Sequence, residues 1–245
     1  MIRRTLYALS ALALVAPTAV AAQAADQRPT VAVLYFNNGS FGPGAKDYDL
    51  LGRGVADYLI GELSGNPAVR VVERDQIGKI TAEQDLGTSG RVDAETAVRI
   101  GKLLGARYMV TGGYIADPKG NVSLNARVFE VETSKIIHTE RVTDKAENFV
   151  PLIGKLAEKL NSGMKLPEIP KRTGATPMPS TTGSAVGQAP APEQKVPFAA
   201  VVLYSKAIAA KDKGNKAEAV TLFKASLEKF PEFSKAKTEL KNLGG

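Results

Sequence analysis

Residues 49–75 read DLLGRGVADYLIGELSGNPAVRVVERD, and this stretch decides the fold. Its first half repeats apolar residues at the spacing of one helical face. Gly65 and Pro67 then end the helix, and a short apolar strand over residues 69–72 follows. The apolar residues that share the helical face are Leu51, Val55, Tyr58, Leu59 and Leu63. The stretch therefore predicts one helix–strand unit of an α/β domain.

Three residues at the start of this helix carry further predictions. Asp49 is expected to be the N-cap, because a carboxylate there accepts hydrogen bonds from the free amides of the first turn. Gly52 and Gly54 are poor helix formers. We therefore expect close packing of the backbone at these two glycines.

The segment before the helix combines a buried strand with a glycine-rich loop. Residues 30–36 (TVAVLYF) form a continuous apolar run, as expected for a strand covered on both faces. In the loop over residues 39–46, Gly39, Gly44 and Lys46 approach the spelling of a phosphate-binding P-loop. Ala45 separates the last glycine from the lysine, which favours an ordinary loop over a nucleotide site.

After residue 75 the sequence predicts two helices and then a strand. Asp75 and Asp93 are placed to cap the two helices, and Gly105 is placed to end the second one. Residues 108–115 (YMVTGGYI) return as a strand, in which the pair Gly112 and Gly113 indicates a bulge or a close approach of another group.

The remainder of the domain predicts an antiparallel meander and a closing helix. Residues 117–121 (DPKGN) are typical of a turn, and an alternating strand follows them. The alternation changes phase at Phe129, which indicates a bulge. A further strand over residues 136–142 precedes a helix over residues 149–163. The order β-α-β-α-α-β-β-β-α predicts an α/β sandwich with a mixed sheet.

Four phrases of this domain together resemble the CsgG family, the curli production assembly/transport component. They are LLGRGVADYLIGELS, VRVVERDQI, AVRIGKLLGARYMVTGGYI and LNARVFEVETSKII, within residues 31–160. The resemblance implies a periplasmic α/β domain related to the amino-terminal domain of TolB. It also implies a role at the outer membrane in exporting or assembling surface material, through contacts with outer-membrane or secreted assembly components.

The chain departs from the family's secretion pore in two respects. The pore is a lipoprotein, whereas this chain contains no Cys to carry the lipid. The pore also inserts two membrane β-hairpins per subunit, each needing strands of about ten residues, and residues 75–143 leave no room for them. We therefore expect a soluble periplasmic relative without a lipid anchor. A ring-forming outer-membrane channel component remains the alternative, as does a homo-oligomer.

The amino terminus predicts export. Residues 1–25 combine Arg3 and Arg4 with an apolar run and a stretch of small residues, which is typical of a secretory signal peptide. The candidate cleavage sites follow Ala22, Ala24 and Ala25. The expected location is the periplasm, including a peripheral position at the outer membrane.

The rest of the chain predicts a linker and a helical segment beyond the α/β domain of residues 28–164. Residues 165–197 are rich in Pro, Ser, Thr and Gly, which predicts a flexible linker between two independent folding units. Residues 198–243 predict an all-α hairpin similar to a tetratricopeptide repeat (TPR). One repeat is too few for a stable solenoid, so it is expected to pair with a second copy, dock on the first domain or form a marginal hairpin.

Composition favours binding over catalysis. The chain has no Cys and a single His, which leaves little scope for thiolate chemistry, a metal cluster or a Ser-His relay. The net charge of +7 is spread along the sequence rather than concentrated, so nucleic-acid binding is not expected. We expect a protein that is not an enzyme and that uses no cofactor and no metal.

Two groups of residues are candidates for binding a protein partner. A charged cluster ends the strand of residues 69–72, at the sheet edge where α/β proteins often place ligands, although helix capping and ion pairing also account for it. The second group lies in the helical segment, where an acidic partner and a plainly solvated face are both open interpretations. The candidates are Glu73, Arg74, Asp75, Lys216, Phe223 and Lys224.

Overall fold

A mixed sheet organises the residues that this computed structural model describes, which are 26–42, 44–83, 93–170 and 195–244. The signal peptide predicted over residues 1–25 lies outside them. The sheet order is β3-β1-β4-β5-β6, with β2 also paired to β4. The strands are β1 (Thr30–Val33), β2 (Asn37–Asn38), β3 (Arg70–Val71), β4 (Tyr108–Ala116), β5 (Asn121–Glu130) and β6 (Lys135–Lys145). Strand β1 pairs in parallel with β3 and β4, and β2 pairs in parallel with β4, whereas the β4–β5 and β5–β6 pairs are antiparallel. This arrangement confirms the predicted mixed sheet.

Helices cover both faces of the sheet. The α-helices are α1 (Leu51–Ser64), α2 (Arg74–Glu83), α3 (Ala94–Leu103), α4 (Phe149–Gly163), α5 (Phe198–Asp212), α6 (Lys216–Lys229) and α7 (Ser234–Asn242). Gly101 of α3 lies against Met109, whereas Gly163 of α4 lies against His138. Successive residues of a strand point to opposite faces of the sheet. Val128 pairs with Val110, the residue after Met109, and also with His138, so His138 lies on the face opposite Met109. Helices α3 and α4 therefore lie on opposite faces of the sheet.

Several local predictions are confirmed. Asp93 caps α3 by accepting a hydrogen bond from the Thr96 amide at 2.7 Å, and Gly105 has a φ of 61° just beyond the helix. The register of β5 and β6 shifts between Val128 and Phe129, where the change of phase predicted a bulge. In each case the residue that carries the sequence signal lies within a few residues of the feature that it predicted.

Other local predictions are wrong. Asp49 does not cap α1, because its carboxylate accepts a hydrogen bond from the Asn38 amide at 2.7 Å, and the N-cap position is Leu50. Asp75 lies inside the first turn of α2 rather than before it. The sequence also missed β2, whose two residues pair with Gly113 and Tyr114 of β4.

The close approach predicted at the glycines is confirmed. Gly52 and Gly112 approach Phe36, and Gly54 approaches helix α5. A Cβ on Gly52 would lie 1.8 Å from the carbonyl oxygen of Phe36, and a Cβ on Gly112 would lie 2.5 Å from the Phe36 ring. Gly112 therefore marks a close approach, and the register of β4 stays regular there. A Cβ on Gly54 would lie 2.0 Å from the Ser205 Oγ, so the second partner is helix α5.

The helical segment docks on the α/β domain, which is one of the three placements left open by its sequence. Tyr58 of α1 packs against Tyr204 and Phe233, with ring centroids 6.2 and 6.5 Å away. Phe198 packs edge-on against Phe149 of α4 at 5.2 Å. These side chains belong to a single buried cluster that includes the sheet. The two parts share one core and are not independent in the described structure.

Both ends of the predicted linker also pack against this core. Leu166 and Ile169 lie against the buried cluster, and Val196 is itself buried. The carbonyl of Pro167 accepts hydrogen bonds at 2.8 and 2.7 Å from the side-chain amides of Asn66 and Asn161. The prediction that residues 165–197 are a linker is wrong at these ends, and residues 171–194 lie outside the described structure. Apart from this, the division of the chain into residues 1–25, 28–164, 165–197 and 198–243 stays a prediction.

A substitution at Gly54 tests the contact between α1 and α5. Gly54→Ala is expected to lower the free energy of unfolding by about 1–3 kcal/mol, because the new methyl group overlaps Ser205. Gly154→Ala in α4 is the matched control, since nothing lies within 4 Å of the added Cβ. That control is expected to raise stability by up to about 1 kcal/mol. Urea unfolding measures both, and equal effects of the two substitutions would contradict the close helix contact.

Candidate functional site

The predicted charged cluster splits apart in the structure. Glu73 and Asp75 are exposed at the start of α2, whereas Arg74 keeps only 6% of its side-chain surface exposed. The Arg74 guanidinium lies between helices, where it pairs with Asp212 of α5 and lies 3.5 Å from Asp57 of α1. Its third carboxylate neighbour is Asp75 at 3.0 Å. The partner of Arg74 is therefore the helical segment of the same chain.

Asp212 gathers two further donors at the end of α5. The Arg53 guanidinium donates to its carboxylate at 2.7 Å, and the Tyr35 hydroxyl donates at 3.1 Å. The Arg53 guanidinium also lies 4.2 Å from the centre of the Tyr35 ring, a cation–π distance. One carboxylate of the helical segment thus joins three donors from the α/β domain.

Asp57 on α1 is the carboxylate of the α/β domain that binds donors from the helical segment. Its carboxylate accepts hydrogen bonds from the Lys235 ammonium and the Tyr204 hydroxyl, both at 2.9 Å. Lys235 belongs to α7, and its ammonium lies 4.8 Å from the centre of the Tyr58 ring. We refer to Arg53, Asp57, Arg74, Asp212 and Lys235 as the docking network.

Two members of the docking network, Asp57 and Arg74, have pKa values that favour their charged forms. Burial by itself raises the pKa of Asp57, but Lys235 and Arg74 outweigh it and hold the pKa below its ordinary value. Burial opposes the charge of Arg74, yet Asp212 and Asp57 raise its pKa above its ordinary value. Burial, and then the charge of Asp212, raise the pKa of Tyr35 to about 12. Asp57 and Arg74 are therefore charged and Tyr35 is a neutral phenol at neutral pH, a state that supports docking rather than proton transfer.

The helical candidates also divide into buried and exposed residues. Phe223 has no exposed surface, and its ring lies 5.6 Å from that of Tyr204. The prediction that Phe223 contacts a partner is therefore wrong, because the side chain belongs to the core between α5 and α6. Lys216 and Lys224 are exposed on α6 and stay candidates, as do Glu73 and Asp75.

The glycine-rich loop does not have the form of a phosphate cradle. A 3-10 turn over Ala45–Tyr48 separates it from α1, so Lys46 is not in the first turn of the long helix. The amides of Ala45, Asp47 and Asp49 donate to carbonyls within the loop at 2.9–3.3 Å. Amides already bonded in this way cannot bind phosphate oxygens. The structure therefore argues against the nucleotide alternative.

Metal ligands do not converge in the described part of the chain. Among the described residues no group of three or more His, Asp or Glu side chains is arranged for a metal ion. His138 lies against Gly163 and is 3.6 Å from Glu140, whose carboxylate is bonded to Lys159. None of the helices that the structure describes combines the length and apolar character of a membrane span.

The fold and the site define a mixed α/β protein with a helical segment docked by charge pairs. The family model of CsgG, the curli production assembly/transport component, matches residues 14–120, which confirms the resemblance to that family. The match begins within the predicted signal peptide. Comparison with curated proteins gave no match.

Three solved structures match this chain at low identity and low TM-score. The LpoB C-terminal domain from Escherichia coli is 19% identical over 48% of this chain and 83% of its own, with a TM-score of 0.34. The PelC dodecamer from Paraburkholderia phytofirmans is 14% identical over 59% and 92%, with a TM-score of 0.36. TolB from Acinetobacter baumannii is 13% identical over 57% and 28%, with a TM-score of 0.31. These values give no ground for transferring a partner or an assembly to this chain.

Sequence reasoning missed most of the docking network. Asp57 sits inside the apolar stretch of α1, four residues after Arg53, so the two charges share one helical side. That spacing was a usable signal that this side of α1 meets charged groups. Asp212 had no such signal, because its partner Arg74 is 138 residues away in the chain.

Removing the charge of Asp212 tests the network. Asp212→Asn leaves Arg74 buried with less compensation, so the free energy of unfolding is expected to fall by about 2–4 kcal/mol. Asp75→Asn is the control, because that partner is 66% exposed and its loss is expected to cost at most about 1 kcal/mol. Chemical unfolding compares the two variants. A larger effect at Asp75 would show that Arg74 does not depend on docking.

The pH dependence of stability tests Asp57. Its folded-state pKa lies below the ordinary value of 3.8, so its contribution is present above that value and is lost as pH falls through the folded-state pKa. Asp57→Asn is therefore expected to be less stable than the unsubstituted chain at neutral pH, with the difference narrowing under acid conditions. The free energy of unfolding of both proteins, measured from neutral pH to about pH 2, gives this difference. A difference independent of pH would contradict the charged role of Asp57.

Proposed function

We propose that this chain is a non-enzymatic periplasmic accessory protein that takes part in the secretion or assembly of surface material at the outer membrane. It would act through protein–protein contacts, in line with the CsgG match over residues 14–120. The observation that carries the proposal is this family match. It agrees with a site whose charged groups pair with one another and hold the helical segment against the α/β domain.

The chemistry of the described residues agrees with binding. The pKa of Asp57 lies below its ordinary value and that of Arg74 above it, and both groups are committed to partners within the chain. An enzyme of this fold class would be expected to leave such groups facing a pocket. Contacts with partners would instead use exposed residues, among them Glu73 and Asp75 at the start of α2 and Lys216 and Lys224 on α6.

Site-specific cross-linking in cells tests the proposal. A photo-reactive amino acid at Asp75 or Lys224 is expected to give covalent adducts with outer-membrane or secreted proteins in the periplasmic fraction of a Gram-negative host. Lys102 on α3 is an exposed control away from both candidate surfaces. Mass spectrometry identifies the adducts, and deletion of the gene is expected to reduce export of surface material.

Different outcomes separate the parts of the proposal. Retention of the intact chain in the cytoplasm would contradict export and a periplasmic role. Export with no adduct at any exposed position, and unchanged surface material after deletion, would contradict the accessory role. A closed assembly of many copies that requires detergent would favour the ring-forming channel component instead.

A further inference from the structure

One face of the sheet is left uncovered by the described helices beyond the reach of α3. Gly101 of α3 lies against Met109 and Val131 at one end of that face, and α4 lies on the opposite face. The residues farther along the same face come from β5 and β6, where register pairs Ser123 with Thr143, Asn125 with Arg141, and Arg127 with Thr139. We call these six residues the arginine face: Ser123, Asn125, Arg127, Thr139, Arg141 and Thr143.

The arginine face carries two positive charges without a carboxylate. The side chains of Arg127 and Arg141 are exposed, and neither guanidinium forms a hydrogen bond or ion pair with the part of the chain that the structure describes. They occupy diagonal positions on neighbouring strands, about 7–8 Å apart by sheet geometry. The acidic residues of β6 point the other way, since Glu140 pairs with Ala126 and bonds Lys159 of α4. Two adjacent guanidinium groups without an acceptor are suited to an external anion.

Strand β6 is also an open edge of the sheet. It is last in the strand order, and among the described residues its backbone pairs with β5 alone. A bulge beside Ile136 and lysines at Lys135 and Lys145 interrupt the edge near its ends. Such features usually block unwanted strand pairing. The seven residues 138–144 between them keep a regular register and remain available to another strand.

We propose that the edge of β6 and the arginine face together bind an extended, acidic segment of a protein partner. The segment would add a strand to the sheet along residues 138–144, with its main chain bonded to the free edge. Alternate side chains of an added strand point to one face, so carboxylates at every second position would lie beside Arg141 and reach toward Arg127. The hydroxyl of Thr139 would supply a further donor, whereas that of Thr143 already donates to the Ser123 hydroxyl at 3.0 Å. The inference rests on the proposed function and gives its protein contact a location.

An acidic peptide fits this surface better than an anionic lipid does. A lipid headgroup could pair with the guanidinium groups but could not use the backbone donors and acceptors of the edge. The combination of an edge and one-sided charge therefore selects a strand with one-sided acidity.

A synthetic peptide tests the site directly. A nine-residue fluorescent peptide of alternating Val and Glu is expected to bind the exported chain in an anisotropy titration, with affinity that falls as salt rises. The same peptide with Lys in place of Glu is expected not to bind. A third peptide that keeps every Glu but carries methyl groups on alternate backbone amides removes main-chain donors. It is expected to bind at least about tenfold more weakly.

Charge-reversed variants assign the binding to the arginine face. Arg127→Glu combined with Arg141→Glu is expected to abolish peptide binding, and Arg141→Lys alone is expected to weaken it about tenfold because lysine lacks the planar fork. Arg99→Glu on α3 is the matched control, an exposed arginine off this face, and is expected to leave binding unchanged. These residues are at the surface, so circular dichroism is expected to show the unsubstituted fold in each variant.

Three results would overturn the inference. They are equal binding of the Glu and Lys peptides, unchanged binding by the doubly reversed variant, and binding only to phosphatidylglycerol vesicles. If the peptide fails but cross-linking from α2 or α6 still captures partner proteins, this surface is wrong and the proposed function stands. If both fail, the proposed function fails with it.

Discussion

The structure depends on the burial of the Arg74 guanidinium between Asp57 and Asp212. Taking a charged group out of water is costly, and an ion pair offsets that cost only when geometry and hydrogen bonds are good. Asp57 and Asp212 meet this condition, because each accepts further hydrogen bonds from the other part of the chain. The α/β domain and the helical segment are therefore complementary in charge at their contact.

Close packing of α1 and α5 places these charges within reach of each other. Gly54 lets Ser205 approach α1, and one turn later Asp57 meets the Tyr204 hydroxyl. The aromatic rings of Tyr58, Tyr204 and Phe233 fill the space next to these polar contacts. A single TPR-like hairpin cannot bury its apolar faces alone. Here α1 serves as the neighbouring helix that additional repeats would otherwise supply.

Sequence reasoning predicted the features whose cause is local. The capping of α3 by Asp93, the glycine after that helix and the bulge at Phe129 all depend on residues a few positions apart. The mixed sheet followed from the order of elements. The predictions that failed depended on distant partners, because Arg74 and Phe223 read as surface residues until α5 is placed beside them. Asp49 failed for a similar reason, since Asn38 competes for its carboxylate.

The most direct test of this account is the distance between the two parts of the chain in solution. The sequence contains no Cys, so cysteines introduced at the exposed positions Lys79 on α2 and Lys213 after α5 can each carry one spin label. Double electron–electron resonance measures the distribution of distances between the labels. A docked segment predicts a single narrow distribution that broadens when Asp212→Asn is added. A broad distribution in the otherwise unsubstituted chain would contradict the docked arrangement on which the account rests.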